Sequence, residues 1–178
     1  MLKFSPAFIA LVFFMAAGIA PATQAFQGRS DEIIYNTTAG EMAVLLKSFG
    51  WEVELVDDGE GVPDAIQINF NNYKSWLRLK NCLENVPERC GTLIFFANFN
   101  LGRKVSSQDM VILNSYNDKN VIGRAYYLEK PDQDNNDQIG IDFRISLNGG
   151  VTREHLTLEA KKWDEVIDTF VETHKNQQ

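Results

Sequence analysis

Residues 139–150 read Ile-Gly-Ile-Asp-Phe-Arg-Ile-Ser-Leu-Asn-Gly-Gly, and Val151-Thr152 follow. Ile139, Ile141, Phe143, Ile145 and Leu147 alternate with Gly140, Asp142, Arg144 and Ser146, a period of two that predicts a strand with one buried face. Asn148-Gly149-Gly150 ends the strand. Thr152 then serves as the N-cap of a long terminal helix whose apolar stripe is Leu156, Ala160, Trp163, Ile167 and Phe170. A strand with one apolar face, followed by a helix with one apolar stripe, predicts helices packed on a sheet.

The same two periods recur toward the N-terminus. Thr38 with Glu41 makes a capping box, and Met42, Leu45, Leu46 and Phe49 define a first helix that stops at Gly50 in the C′ position. Trp51, Val53 and Leu55 alternate with Glu52 and Glu54 in a first strand, and the cluster Asp57 to Gly61 turns the chain. Ile66, Ile68 and Phe70 form a second strand, and Asn71-Asn72 turns it into a third over Tyr73 to Lys80. A loop from Cys82 to Cys90, containing Pro87, leads to a fourth strand over Thr92 to Phe99. That strand is apolar on both sides, Leu93, Phe95, Ala97 and Phe99 against Ile94 and Phe96, which predicts a central strand or one covered twice. Ser106 and Asp109 open a second helix carrying Met110, Val111, Leu113 and Tyr116, Val121 to Glu129 is a fifth strand, and Pro131 to Gln138 is a polar turn. The predicted fold is a single α+β domain, element order α-β-β-β-β-α-β-β-α, with short connections and so a mainly antiparallel sheet.

Before this domain lies Lys3 and then an apolar run from Phe8 to Ala20. Pro21 interrupts it, and Thr23 and Ala25 suit the −3 and −1 positions of a cleavage site. Residues 1–25 therefore read as a signal peptide and residues 26–178 as the mature domain, periplasmic or secreted. The apolar run is shorter than the roughly 20 residues that span a bilayer, so no stable membrane span is expected after cleavage. The 17 Lys and Arg against 24 Asp and Glu give −7, and loss of Lys3 makes the mature charge −8. With basic residues scattered among acids, the reading has no nucleic-acid partner. Two cysteines in an exported chain, Cys82 and Cys90, predict a disulfide. Closing a loop of that length is worth about 2.5 kcal/mol on chain entropy.

Catalytic markers are missing from the sequence: no nucleophile elbow, Walker loop, His-Glu-x-x-His or dinucleotide fingerprint is present. His155 and His174 both fall on the terminal helix and read as solvated. Asp132, Asp134 and Asn136 open like a calcium loop, but Asp137 replaces the sixth-position Gly and Phe143 the twelfth-position Glu, so the segment reads as a solvated turn. Asn36-Thr37-Thr38 matches a glycosylation sequon that has no meaning in a bacterial cell. No catalytic residue, metal ligand or cofactor is assigned. What stands out is apolar surface. Trp76 shares a strand face with Lys74, Arg78 and Lys80, Phe96 and Ile94 point away from Leu93 and Phe95, and Arg124 and Tyr126 alternate with Ala125 and Tyr127. Trp76, Phe96 and Tyr126, with Arg124 at the edge, are the candidate interaction surface. The alternative is that the terminal helix covers them.

The Trp51-to-Gly61 hairpin, the Cys90-to-Phe99 strand, Gly123-Arg124-Ala125-Tyr126 and Gly149-Gly150-Val151-Thr152-Arg153-Glu154 together resemble the YbjN family, labelled bacterial sensory transduction regulators, over about residues 35–173. The resemblance implies a fold similar to type III secretion chaperones, small α+β proteins that commonly dimerise and hold extended peptides. It points to an exported, non-enzymatic binding or chaperone-like module with a protein or peptide partner, in a regulatory or envelope-stress setting, and leaves a homodimer open. A small periplasmic enzyme with an unrecognised site and a structural envelope-associated protein are the alternatives.

Overall fold

Two capping boxes set the starts of the first two helices. Thr38 Oγ1 accepts from the amide of Glu41 while the Glu41 carboxylate accepts from the amide of Thr38, and Ser106 and Asp109 repeat the arrangement. The structure, a computed structural model of the chain, describes residues 29–57, 65–129 and 136–175. Residues 1–25, expected to be a signal peptide, and most of the expected Asp57-to-Gly61 and Pro131-to-Gln138 turns lie outside the described residues. The elements are β1 (Ile33–Ile34), α1 (Ala39–Ser48), β2 (Glu52–Val56), β3 (Ala65–Phe70), β4 (Tyr73–Leu83), β5 (Val86–Asn100), α2 (Ser107–Lys119), β6 (Arg124–Leu128), β7 (Gln138–Ser146), β8 (Val151–Thr152), α3 (Arg153–Lys161) and α4 (Trp163–Lys175).

All pairings are antiparallel. Six strands form one sheet in the order β2-β3-β4-β5-β7-β6, and β1 pairs with β8 in a two-stranded clip. The α+β class and the element order agree with the expectation from periodicity. Three local features refine it. The terminal helix parts at Lys162 into α3 and α4, yet the predicted stripe passes through both, and Leu156, Ala160, Trp163, Ile167 and Phe170 are all buried. Gly50 takes the left-handed conformation (φ 84°) that closes α1, and Asn71 and Asn72 both have positive φ, as the tight hairpin between β3 and β4 requires. The segment expected to loop from Cys82 to Cys90 is instead a hairpin. β4 and β5 run on to a turn at Glu84-Asn85, so that Cys82 stands opposite Cys90 and the two are joined by a disulfide.

The helices cover the sheet face that carries Ile66, Leu77, Phe95, Ala125 and Ile141, all buried. Trp163 fills the middle of this layer against Phe95, ring centroids 5.7 Å apart, and its Nε1 donates to the buried Ser75 Oγ at 3.1 Å. That bond lets an indole and a hydroxyl share an apolar core without an unmet donor. On α2 the inward stripe is Asp109, Ile112, Leu113 and Tyr116, while Met110 and Val111, which the helix also carries, are exposed. The fifth expected strand begins at Arg124, not Val121, which is fully exposed.

β5 is central, one of the two expectations for a strand apolar on both sides. Among the described residues no helix covers its second face: Ile94 and Phe96 are half-buried and Asn98 is exposed. Apolarity on both sides of this strand therefore marks a surface.

Candidate functional site

The open face is built by the alternate residues of five antiparallel strands. Register aligns Gln67 with Trp76, Trp76 with Phe96, Phe96 with Asp142, and Asp142 with Arg124. One cross-sheet row thus holds three of the four candidate residues, with Trp76 and Phe96 as direct cross-strand neighbours. Such pairs contribute roughly 0.2–1 kcal/mol to the sheet. Cations lie over both rings. Lys74 Nζ is 4.9 Å from the Trp76 ring centroid, and the Arg78 guanidinium carbon is 5.1 Å from that of Phe96. Each contact lets a charged head stay in water while its stem covers aromatic surface.

Arg124 forms an ion pair with Asp142, and that hydrogen-bonded carboxylate raises the arginine further above its ordinary value. Tyr126 sits one row away. Its ring packs against Gly140, where a Cβ would come within 2.4 Å of a ring carbon, and its hydroxyl donates to Asn98 Oδ1 at 2.7 Å. Burial, reinforced by Asp142, pushes the Tyr126 phenol up to about 12. Beside this corner, Ile94, Val121, Ile122, Arg124, Asp142 and Arg144 bound an open groove of about 450 Å³. The structure therefore joins Trp76 to Phe96 and Arg124 to Asp142 in one row, and holds Tyr126 apart. Sequence reasoning missed Asp142 and Arg144 as members of the surface, although their alternation with Ile141, Phe143 and Ile145 was the available signal. Basic residues scattered along the chain, Lys74, Arg78, Arg124 and Arg144, gather on this face.

The carboxylates with shifted titration serve structure. Asp109 is buried and accepts from Arg103 at 2.6 and 2.8 Å and from Ser106 N and Oγ at 2.7 and 2.6 Å; these bonds hold it far below the usual carboxylate range. Burial pushes Glu41 upward, but bonds from Thr38 N, Thr37 Oγ1 and Arg89 outweigh it and the net shift is downward. Asp137 departs from the solvated turn expected of it: it is buried and accepts from Lys104 Nζ at 3.1 Å, Val105 N at 2.9 Å and the Tyr127 hydroxyl at 3.2 Å. Asp132 and Asp134 of the calcium-like spacing lie outside the described residues, and among those described no three metal-binding side chains cluster. His155 is exposed as expected. His174 is not fully solvated; its half-buried ring lies 6.4 Å from Phe170, and burial lowers its pKa.

The sheet's two edges differ. At β6, Asn117 Oδ1 accepts from the amide of Ala125 at 2.8 Å and its Nδ2 donates to the Ala125 carbonyl at 3.0 Å. One side-chain amide thus occupies the donor and acceptor of Ala125, two of the groups that an added strand would use. β2 is the other edge and presents Glu52 and Glu54.

A family model, YbjN, described as "Putative bacterial sensory transduction regulator", matches residues 38–174. Among solved structures, the fold is shared with "YbjN, a putative transcription regulator from E. coli", at 15% identity and a TM-score of 0.59, over 82% of this chain and 96% of that one. No curated protein matches.

Proposed function

The chain belongs to the YbjN family, and from that premise we propose that it is an exported, non-enzymatic regulatory module that recognises a protein or peptide through the open face of its sheet. The observation that carries this reading is the half-buried Trp76–Phe96 pair, with Lys74 and Arg78 over its rings, on the face that the helices leave uncovered. Aromatic and arginine side chains on a rigid sheet form the kind of surface from which interface hot spots are drawn. The family's description as a regulator supports a binding role, and the carboxylates with shifted titration are engaged in ion pairs and caps. Capping of β6 by Asn117 favours the face over that strand's edge as the docking route. Export is supported by the leader-like residues 1–25, and a Cys82–Cys90 disulfide is compatible with an oxidising compartment.

Photo-crosslinking in the native cell tests the reading. A photoreactive residue at Arg78 or Arg144, on the open face, should give discrete protein adducts in the periplasmic fraction, whereas one at the exposed Glu172 on α4 should not. Equal labelling from both surfaces, or none from either, would refute recognition through this face. N-terminal sequencing of the same sample should begin near Phe26; an intact Met1 would refute export.

A further inference from the structure

The charge order across the open face identifies the partner that it fits. Extended to the β2 edge, the row through the aromatic pair reads Glu54, Gln67, Trp76, Phe96, Asp142, Arg124. It runs acid, amide, ring, ring, acid, cation. A two-fold axis lying in the face, parallel to the strands and between β4 and β5, reverses this row onto itself. Glu54 then meets Arg124 of a second copy, Gln67 meets Asp142, and Trp76 meets Phe96, each contact occurring twice. The next row reads Val56, Ala65, Arg78, Ile94, Arg144, and the same operation sets Arg78 on Ile94 and Arg144 on Ala65, so that no cation meets a cation. An axis across the strands that passes through this row would instead stack Glu54 on Glu54 and Arg124 on Arg124. Of these two axes, the charge order favours the one parallel to the strands.

We propose that the open face is self-complementary and joins two copies of this chain face to face in the first arrangement. The proposal rests on the reading that this face is a protein-recognition surface, and it names the protein recognised as a second copy. Six strands about 4.8 Å apart and three rows about 6.8 Å apart make a face of about 29 by about 20 Å. Two such faces bury on the order of 1,100 Å², just under the usual range of stable interfaces and above the roughly 1,000 Å² that a specific one should clear. The central contacts are two Trp76–Phe96 pairs, the residue types that dominate interface energetics. Twist between packed sheets shifts the outer strands from strict superposition, and the long side chains of Glu54 and Arg124 are suited to span that offset. An acidic peptide on the same face would satisfy the cations but leave Glu52 and Glu54 against like charge.

Sedimentation equilibrium of the full chain over a range of concentrations tests the pairing. Wild type should form a dimer. Glu54→Arg alone sets arginine on arginine, and Arg124→Glu alone sets glutamate on glutamate, so each should weaken self-association by about 100-fold or more. Mixing these two variants restores both ion pairs in one heterodimer and should recover association to within about tenfold of wild type. Both positions are exposed, and melting curves verify that each variant is folded. A monomeric wild type, a dimer indifferent to both swaps, or a mixture that fails to pair would overturn the proposal. If wild type is monomeric while open-face crosslinks still capture another protein, only self-pairing falls; if those crosslinks also vanish, the recognition reading falls with it.

Discussion

Truncating Phe95 and Phe96 to alanine, one at a time, separates the two faces of β5 by their energetics. Phe95 is fully buried between Phe143 and Trp163, with centroids 6.3 and 5.7 Å away, so removing its ring loses transfer energy and leaves a cavity, together roughly 3–5 kcal/mol. Phe96 is half-buried and solvent fills the space that it vacates. Its truncation forfeits about half of a full side-chain burial, roughly 1 kcal/mol, plus about 0.5–1 kcal/mol for the Arg78 contact. The expected difference is about 1–3.5 kcal/mol. For a domain of this size that corresponds to several degrees in Tm. Urea unfolding followed by far-UV circular dichroism reads both values, with unchanged m indicating the same unfolding transition. Repeating it at two protein concentrations exposes any share that comes from association, since a dimer's midpoint moves with concentration. Equal losses for the two variants would refute the open-face assignment and return Phe96 to the core.

Three further outcomes follow from the same geometry. Gly140→Ala should cost about 1–2 kcal/mol in wild type, because the new methyl displaces the Tyr126 ring and its bond to Asn98, but under about 0.5 kcal/mol in a Tyr126→Ala background; equal costs in a double-mutant cycle would mean that the ring does not rest on Gly140. Asp109→Asn should cost roughly 2–3 kcal/mol, tempered by the half-exposed Arg103. Because the folded-state pKa of Asp109 is depressed, its pairing contributes fully above the ordinary carboxylate value near 4 and is lost as pH falls below it, so wild type should lose stability between pH 4 and 2 more steeply than the Asn variant in acid unfolding titrations. Replacing both Cys82 and Cys90 with serine should lower stability by about 2.5 kcal/mol, and the unreduced, unfolded wild type should show no free thiol; two labelled thiols per chain would refute the bridge in solution.

What was legible in the sequence depended on how far apart the interacting residues lie. β7, the capping boxes at Thr38 and Ser106, and the stripe from Leu156 to Phe170 could be read because a period of two or 3.6 and a cap three residues long are local signals. The stripe of α2 could not, because Met110 and Ile112 are both apolar and only the packing of α2 against β6 and α4 decides which turns inward. The buried state of Asp137 depends on Lys104, more than 30 residues away, and a run of polar residues reads as solvated until that partner is known. The Cys82–Cys90 segment reads as a loop by its Pro87 and as a hairpin only once β4 and β5 are placed in register. The open face shows the limit most sharply. Trp76, Phe96 and Arg124 could each be assigned to a strand face from alternation, but their order in a row depends on three registers, and the full row from Glu54 on five; a slip of one residue in any strand would turn its members to the helices. The reciprocal charge order from Glu54 to Arg124 is therefore a property of the folded sheet, carried by residues that sit 70 positions apart and that alternation alone leaves as ordinary solvated charges.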